Sequence, residues 1–221
     1  MKPAIRSVLR IAAALSTFAA TSTASAQLVT SLGALNGPNS TLTNFGLSNT
    51  NVASPYSAII GGAANITMSY TGNSGLYFDY CGWGLGSNGS SCKTPSVGIN
   101  QAGILRFTFG NGLIAGVGVS MNYAPLTFGP VYIRALDAAN AVLAQYELNA
   151  DAPITTNAYE FRGIQFGGAS IASFEVEGSG NPSPIIESLT YTTSTVPEPS
   201  TVALFAVGFV AIAGFARRRS R

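Results

Sequence analysis

Leu105-Arg106-Phe107-Thr108-Phe109 alternates apolar and polar side chains, and Gly110-Asn111-Gly112 ends the run with a turn signal. A period of two puts Leu105, Phe107 and Phe109 on one face of an extended strand and Arg106 and Thr108 on the other. The same pattern continues on both sides. Ile66, Met68 and Tyr70 alternate with Thr67 and Ser69. Thr71-Gly72-Asn73-Ser74-Gly75 then turns the chain, and Leu76, Phe78 and Tyr80 resume the alternation, which reads as a hairpin. Leu113 to Ser120 reads as a more buried strand. Val131 to Leu136 and Ala141 to Leu148 flank Asp137-Ala138-Ala139-Asn140, a compact hairpin connection. Ala158 to Phe166, Ile171 to Glu177 and Ile185 to Thr192 complete the set. In the Ile171 run, Ala172, Phe174 and Val176 face one way while Ser173, Glu175 and Glu177 face the other. Gln27 to Ser57 predicts an irregular lead-in with one or two strands. No helical period of useful length lies between Gln27 and Thr195. Roughly eight or more short strands divided by turns predict an all-β fold, an antiparallel β-sandwich of jelly-roll type.

The two ends break this pattern. Met1 to Ala26 has Lys2, Arg6 and Arg10 ahead of the apolar stretch Ile11 to Ala20, and Ala24-Ser25-Ala26 forms a small-x-small cleavage site. That is the layout of a secretory signal peptide, with the mature chain starting at Gln27. An uncleaved anchor would need a longer apolar run. At the other end, Val196-Pro197-Glu198-Pro199 precedes 17 uncharged positions, Ser200 to Ala216, and then Arg217-Arg218-Arg219-Ser220-Arg221. Such a run is at the short end of what a single transmembrane helix needs, and the arginines would hold their side in the cytoplasm. The chain therefore divides into a signal peptide (1–26), a β-sandwich ectodomain (27–195) and a tail (196–221).

Together, Pro197-Glu198-Pro199, the apolar span, the basic stop of Arg217, Arg218, Arg219 and Arg221, and the leader resemble the PEP-CTERM sorting signal of Gram-negative bacteria. The resemblance implies export by the general secretion route and recognition by an exosortase, a membrane-embedded cysteine transpeptidase. It implies anchoring in the inner membrane, cutting near Pro197-Glu198-Pro199, and passage to the cell surface or the exopolysaccharide matrix. Val131 to Tyr191 also resembles the β-sandwich ectodomains of that group. The alternative is an ordinary C-terminal anchor that nothing processes.

Charge follows the same division. The chain has 11 basic and 9 acidic residues. Seven of the basic ones lie in the ends; the ectodomain keeps Lys93, Arg106, Arg134 and Arg162 against eight acids, a formal charge of −4. A nucleic-acid partner is disfavoured, because phosphate binding needs a basic face. There is no histidine, which excludes a Ser-His-Asp triad, a Cys-His pair and the usual zinc sites. Two carboxylates can run a glycosidase, yet no acid here sits in a catalytic motif. The expectation is a non-catalytic surface or matrix protein without cofactor or bound metal.

Cys81 and Cys92 are the only cysteines, and export would carry them to an oxidising compartment. A disulfide closing the Gly-rich loop between them is expected to stabilise the fold by roughly 2–3 kcal/mol. A redox pair would favour Cys-x-x-Cys in a helical setting. Trp83 lies inside that loop, near Tyr77 and Asp79. Those residues could form a platform on which exopolysaccharide sugars stack, with Asp79 accepting from hydroxyls. Trp83 could equally fold over the bridge and cover the core edge. Asp79, Asp137, Asp151 and Glu187 have the chemistry of calcium ligands but not the density of a ligand loop, and read as turn acids. Asn39, Asn65 and Asn88 open Asn-x-Ser/Thr triplets that read as chance matches.

Overall fold

The structure, a computed structural model, describes residues 25–79, 82–85, 88, 90–91, 94–124, 129–155, 158–180 and 184–193. Nearly all of the leader, both cysteines, and the tail with its expected membrane helix and basic stop lie outside the described residues. Among the described residues, no helix is long and apolar enough to cross a membrane.

The strands are β1 (Gln27–Val29), β2 (Asn39–Leu42), β3 (Thr50–Val52), β4 (Tyr56–Ile60), β5 (Ile66–Gly72), β6 (Leu76–Phe78), β7 (Trp83–Gly84), β8 (Ser90–Ser91) and β9 (Val97–Ile99). They continue with β10 (Gly103–Phe109), β11 (Ile114–Asn122), β12 (Val131–Leu136), β13 (Val142–Glu147), β14 (Glu160–Gln165), β15 (Ser173–Gly178) and β16 (Ile185–Thr193). One helical turn, α1 (Leu148–Asp151), follows β13. A six-stranded sheet runs β13-β12-β15-β10-β5-β4. An eight-stranded sheet runs β1-β14-β11-β16-β9-β6-β3, with β2 also on β16, and β7 and β8 form a small separate pair. The strand pairs are antiparallel. The expected antiparallel all-β sandwich is what forms.

Period-two patterning sets the core. Met68, Tyr70, Leu105, Phe107, Phe174 and Ile133 project from the six-stranded sheet. Leu76, Phe78, Val117, Val119, Met121 and Leu189 project from the other, and all join one buried cluster. Removing these side chains from water is the main force holding the two sheets together.

The hairpin expected from Ile66 to Tyr80 does not form. Strand β5 pairs with β4 and β10 in one sheet, whereas β6 pairs with β3 and β9 in the other. Alternation fixes which face of a strand is buried; it does not say which strand lies beside it. Here the connection after β5 carries the chain across the edge of the sandwich, so both apolar faces still meet in one core. The predicted β12–β13 hairpin does form. Asp137 Oδ1 accepts from the amides of Ala139 and Ala141, both at 2.8 Å, and Asn140 adopts φ 64°. The lead-in carries three short strands, β1, β2 and β3, before β4 begins at Tyr56. Their side chains are mostly exposed, so main-chain pairing holds them and no apolar period announces them.

Candidate functional site

Of the sequence-predicted trio, Tyr77 lies in β6, Asp79 follows that strand directly, and Trp83 opens β7. Tyr77, in β6, lies opposite Asn51 and Gly98. It packs half-buried against Leu85, Ala124 and Ile185, and its hydroxyl accepts from Asn100 Nδ2 at 3.4 Å. Asp79, at φ 56°, is engaged by the main chain: its Oδ1 accepts from the Ser96 amide at 2.7 Å, and its own amide donates to Ser96 O at 3.0 Å. Trp83 lies on β7 opposite Ser91. Asp79 Oδ1 thus helps tie the end of β6 to the residue before β9.

The loop carrying Trp83 is anchored by two residues that sequence reasoning passed over. Leu85 is fully buried, and so is Asn88. Asn88 Nδ2 donates to Tyr123 O at 2.7 Å and Ile154 O at 2.8 Å, and lies 3.2 Å from Asn122 Oδ1. A side-chain amide can bridge two loops in this way because it carries two donors on one nitrogen. Its only sequence signal was an asparagine among glycines and serines, which ordinary turn chemistry also produces. Burial closes the Asn88 triplet to modification in the folded chain.

The remaining acids hold local structure. Asp151 Oδ2 accepts from the Glu147 amide at 3.1 Å, and Glu187 Oε2 accepts from Ser120 Oγ at 3.3 Å. Glu175 is only 4% exposed on the outer face of the six-stranded sheet. It stands between Arg106 and Arg134 in the β10-β15-β12 register. Arg106 Nε and Nη2 donate to its Oε1 at 2.8 and 2.5 Å, while Arg134 Nη1 lies 3.6 Å from its Oε2. Arg134 also pairs with Glu177 and lies 5.5 Å over the Tyr132 ring. Arg162 is buried inside, donating to Ala152 O at 2.9 Å and to Glu160 at 2.8 Å. Tyr123 donates to the same Ala152 carbonyl at 2.7 Å; burial pushes its phenol pKa up, and the Arg162 charge partly opposes that. Among the described residues, no three metal-ligating side chains gather.

One concave feature stands apart from these pairs. A cleft of about 490 Å³ opens where the chain crosses from β5 to β6, lined by Asn51, Ala53, Ser54, Gly72, Asn73, Ser74 and Gly75. None of these side chains is ionisable, so the cleft has the chemistry to bind and orient but not to transfer a proton.

No curated protein matches the chain. Two solved structures are similar to it: the lectin domain of lectinolysin complexed with Lewis B antigen, and a His 62 mutant of that lectin-binding domain complexed with Lewis b. The first is 15% identical over 73% of this chain and 95% of its own, with a TM-score of 0.31. The second is 14% identical over 76% of this chain and 100% of its own, also with a TM-score of 0.31. Residues 195–220, which contain Pro197, Glu198, Pro199 and the arginines up to Arg219, match the family model described as the PEP-CTERM protein-sorting motif. That motif indicates, in general terms, export with membrane anchoring followed by a surface destination. On the strength of these 26 residues, the chain carries a PEP-CTERM protein-sorting motif.

Proposed function

We propose that this is a non-catalytic cell-surface or matrix protein whose tail anchors it in the inner membrane until an exosortase cuts near Pro197-Glu198-Pro199. The sorting motif at 195–220 carries this reading. Its position supports it as well: the motif begins two residues after β16 ends at Thr193, so the whole sandwich precedes the tail. Pro197 and Pro199 lack amide donors and hold their segment extended, which keeps a membrane helix from running back through it. Glu198 is then presented just outside the bilayer, within reach of a membrane-embedded enzyme. The test replaces Pro197, Glu198 and Pro199 with alanine in an exosortase-bearing host, followed by fractionation and mass analysis. The wild type loses its tail and reaches the surface or medium, while the alanine form stays full-length in the inner membrane. Equal trimming and release of both forms would leave a simple anchor.

We propose further that Cys81 and Cys92 are bridged after export. The β7–β8 pair supports this, because Trp83↔Ser91 and Gly84↔Ser90 bring the two arms of the loop side by side close to both cysteines. Thiol labelling of denatured, unreduced protein is expected to find neither cysteine; two labelled thiols contradict the bridge.

A further inference from the structure

We propose that the cleft between residues 51–54 and 72–75 is a binding site for a neutral saccharide unit. The site does not depend on how the tail is processed. Its lining presents the primary amides of Asn51 and Asn73, the hydroxyls of Ser54 and Ser74, the methyl group of Ala53 and the peptide groups of Gly72 and Gly75. A carboxylate or phosphate entering it would lose hydration and meet no cation on the lining, and an ammonium group would meet no carboxylate. A purely apolar ligand would leave the amides and hydroxyls unpaired, which costs free energy. Adjacent sugar hydroxyls, each both donor and acceptor, match amides and hydroxyls that offer both functions side by side.

The polar groups are already oriented. Ser54 Oγ accepts from the Gly72 amide at 3.0 Å, and Ser74 Oγ accepts from Asn100 Nδ2 at 3.0 Å. Each hydroxyl oxygen is therefore fixed and keeps its own proton to donate. Asn100 also reaches the Tyr77 hydroxyl at 3.4 Å, which makes Tyr77 a positioning residue behind the site. The Asn73 amide donates to Ala102 O at 3.0 Å and ties the crossing to the residue preceding β10. Main chain forms the floor, and packing requires it to. A β-carbon at Gly72 would come within 2.7 Å of Ala102 O, and one at Gly75 within 2.5 Å of Val52 O. The volume lies in the range of small-molecule sites. With no aromatic ring on the lining, a single sugar is expected to bind weakly, with a Kd of about 1–10 mM, and a repeating polymer to gain by multivalency.

The test is saturation-transfer difference NMR on the uncut full-length chain in detergent micelles. The probes are the methyl glycosides of glucose, galactose and mannose, with glucuronate as the charged comparison and dextran as the polymeric source. At least one neutral glycoside or dextran is expected to show saturation that titrates in the millimolar range, with glucuronate at least tenfold weaker. Asn73→Ala, at an exposed position, is expected to weaken that binding at least tenfold without moving Tm. Ala53→Trp, also exposed, fills the cleft and is expected to abolish binding. Absence of saturation by every neutral probe overturns the proposal, and so does wild-type binding by both variants. Because the protein is never cleaved in this experiment, failure of the sorting reading leaves the result unchanged, and the reverse holds too.

Discussion

Asn88 shows why the value of a residue depends on what its atoms meet. It sits in a run of small residues, where an asparagine ordinarily marks a turn. Yet its buried amide joins the 122–123 segment to Ile154. Replacing it with alanine strands buried acceptors on two segments and is expected to cost about 2–3 kcal/mol, read from urea unfolding. Asn88→Asp is expected to cost at least as much at neutral pH, because a carboxylate has no donor to offer those oxygens. A change below about 0.5 kcal/mol in both variants would mean that the loop is held by Leu85 alone. Nothing in the sequence announced this anchor, since an orphan-filling amide has no period and no partner close in sequence. Asp137 was legible for the opposite reason: its partners, Ala139 and Ala141, are its near neighbours in the chain.

Among elements, faces were legible and partners were not. The alternation in β10 and β15 correctly turned Phe107 and Phe174 inward and Arg106 and Glu175 outward. Exposure did not follow from direction. Cross-strand register puts Glu175 between two guanidinium groups, whose bulk covers it on a face that sequence alone would leave in water. The connections tell the same story at larger separation. A five-residue turn rich in glycine, asparagine and serine suits a hairpin, and it also suits an arch between sheets. The choice between them is made by β3, β4, β9 and β10, which lie outside the local window. The sorting motif of the tail was legible because its signal is composition and order, independent of any fold.

At the scale of the whole molecule, the interior carries phenols in addition to hydrocarbon. Tyr70 and Tyr123 are both essentially fully buried. Burial raises their pKa above the ordinary 10.0. Between the unfolded and the folded pKa, the unfolded chain releases protons that the folded one retains, so stability falls as pH rises. Urea midpoints are therefore expected to hold steady up to about pH 10 and then decline. Tyr70→Phe is expected to flatten that decline. A midpoint already falling steeply by pH 8 would point to some other group.

Strand β16 gives the order of strands a kinetic meaning. It bonds to β11, β9 and β2 and so lies in the middle of the eight-stranded sheet, yet it is the last strand among the described residues. A polypeptide threaded through a membrane N-terminus first delivers this central strand last. The sandwich then has to wait, with the flanks of β11 and β9 open, until nearly every residue ahead of the tail has emerged. Only residues 194–196 separate Thr193 from Pro197, so the two can stand at most about 14 Å apart. Under the proposed sorting role, closure of the sheet and presentation of Pro197-Glu198-Pro199 to the bilayer surface would be nearly one event, tying completion of folding to readiness for release.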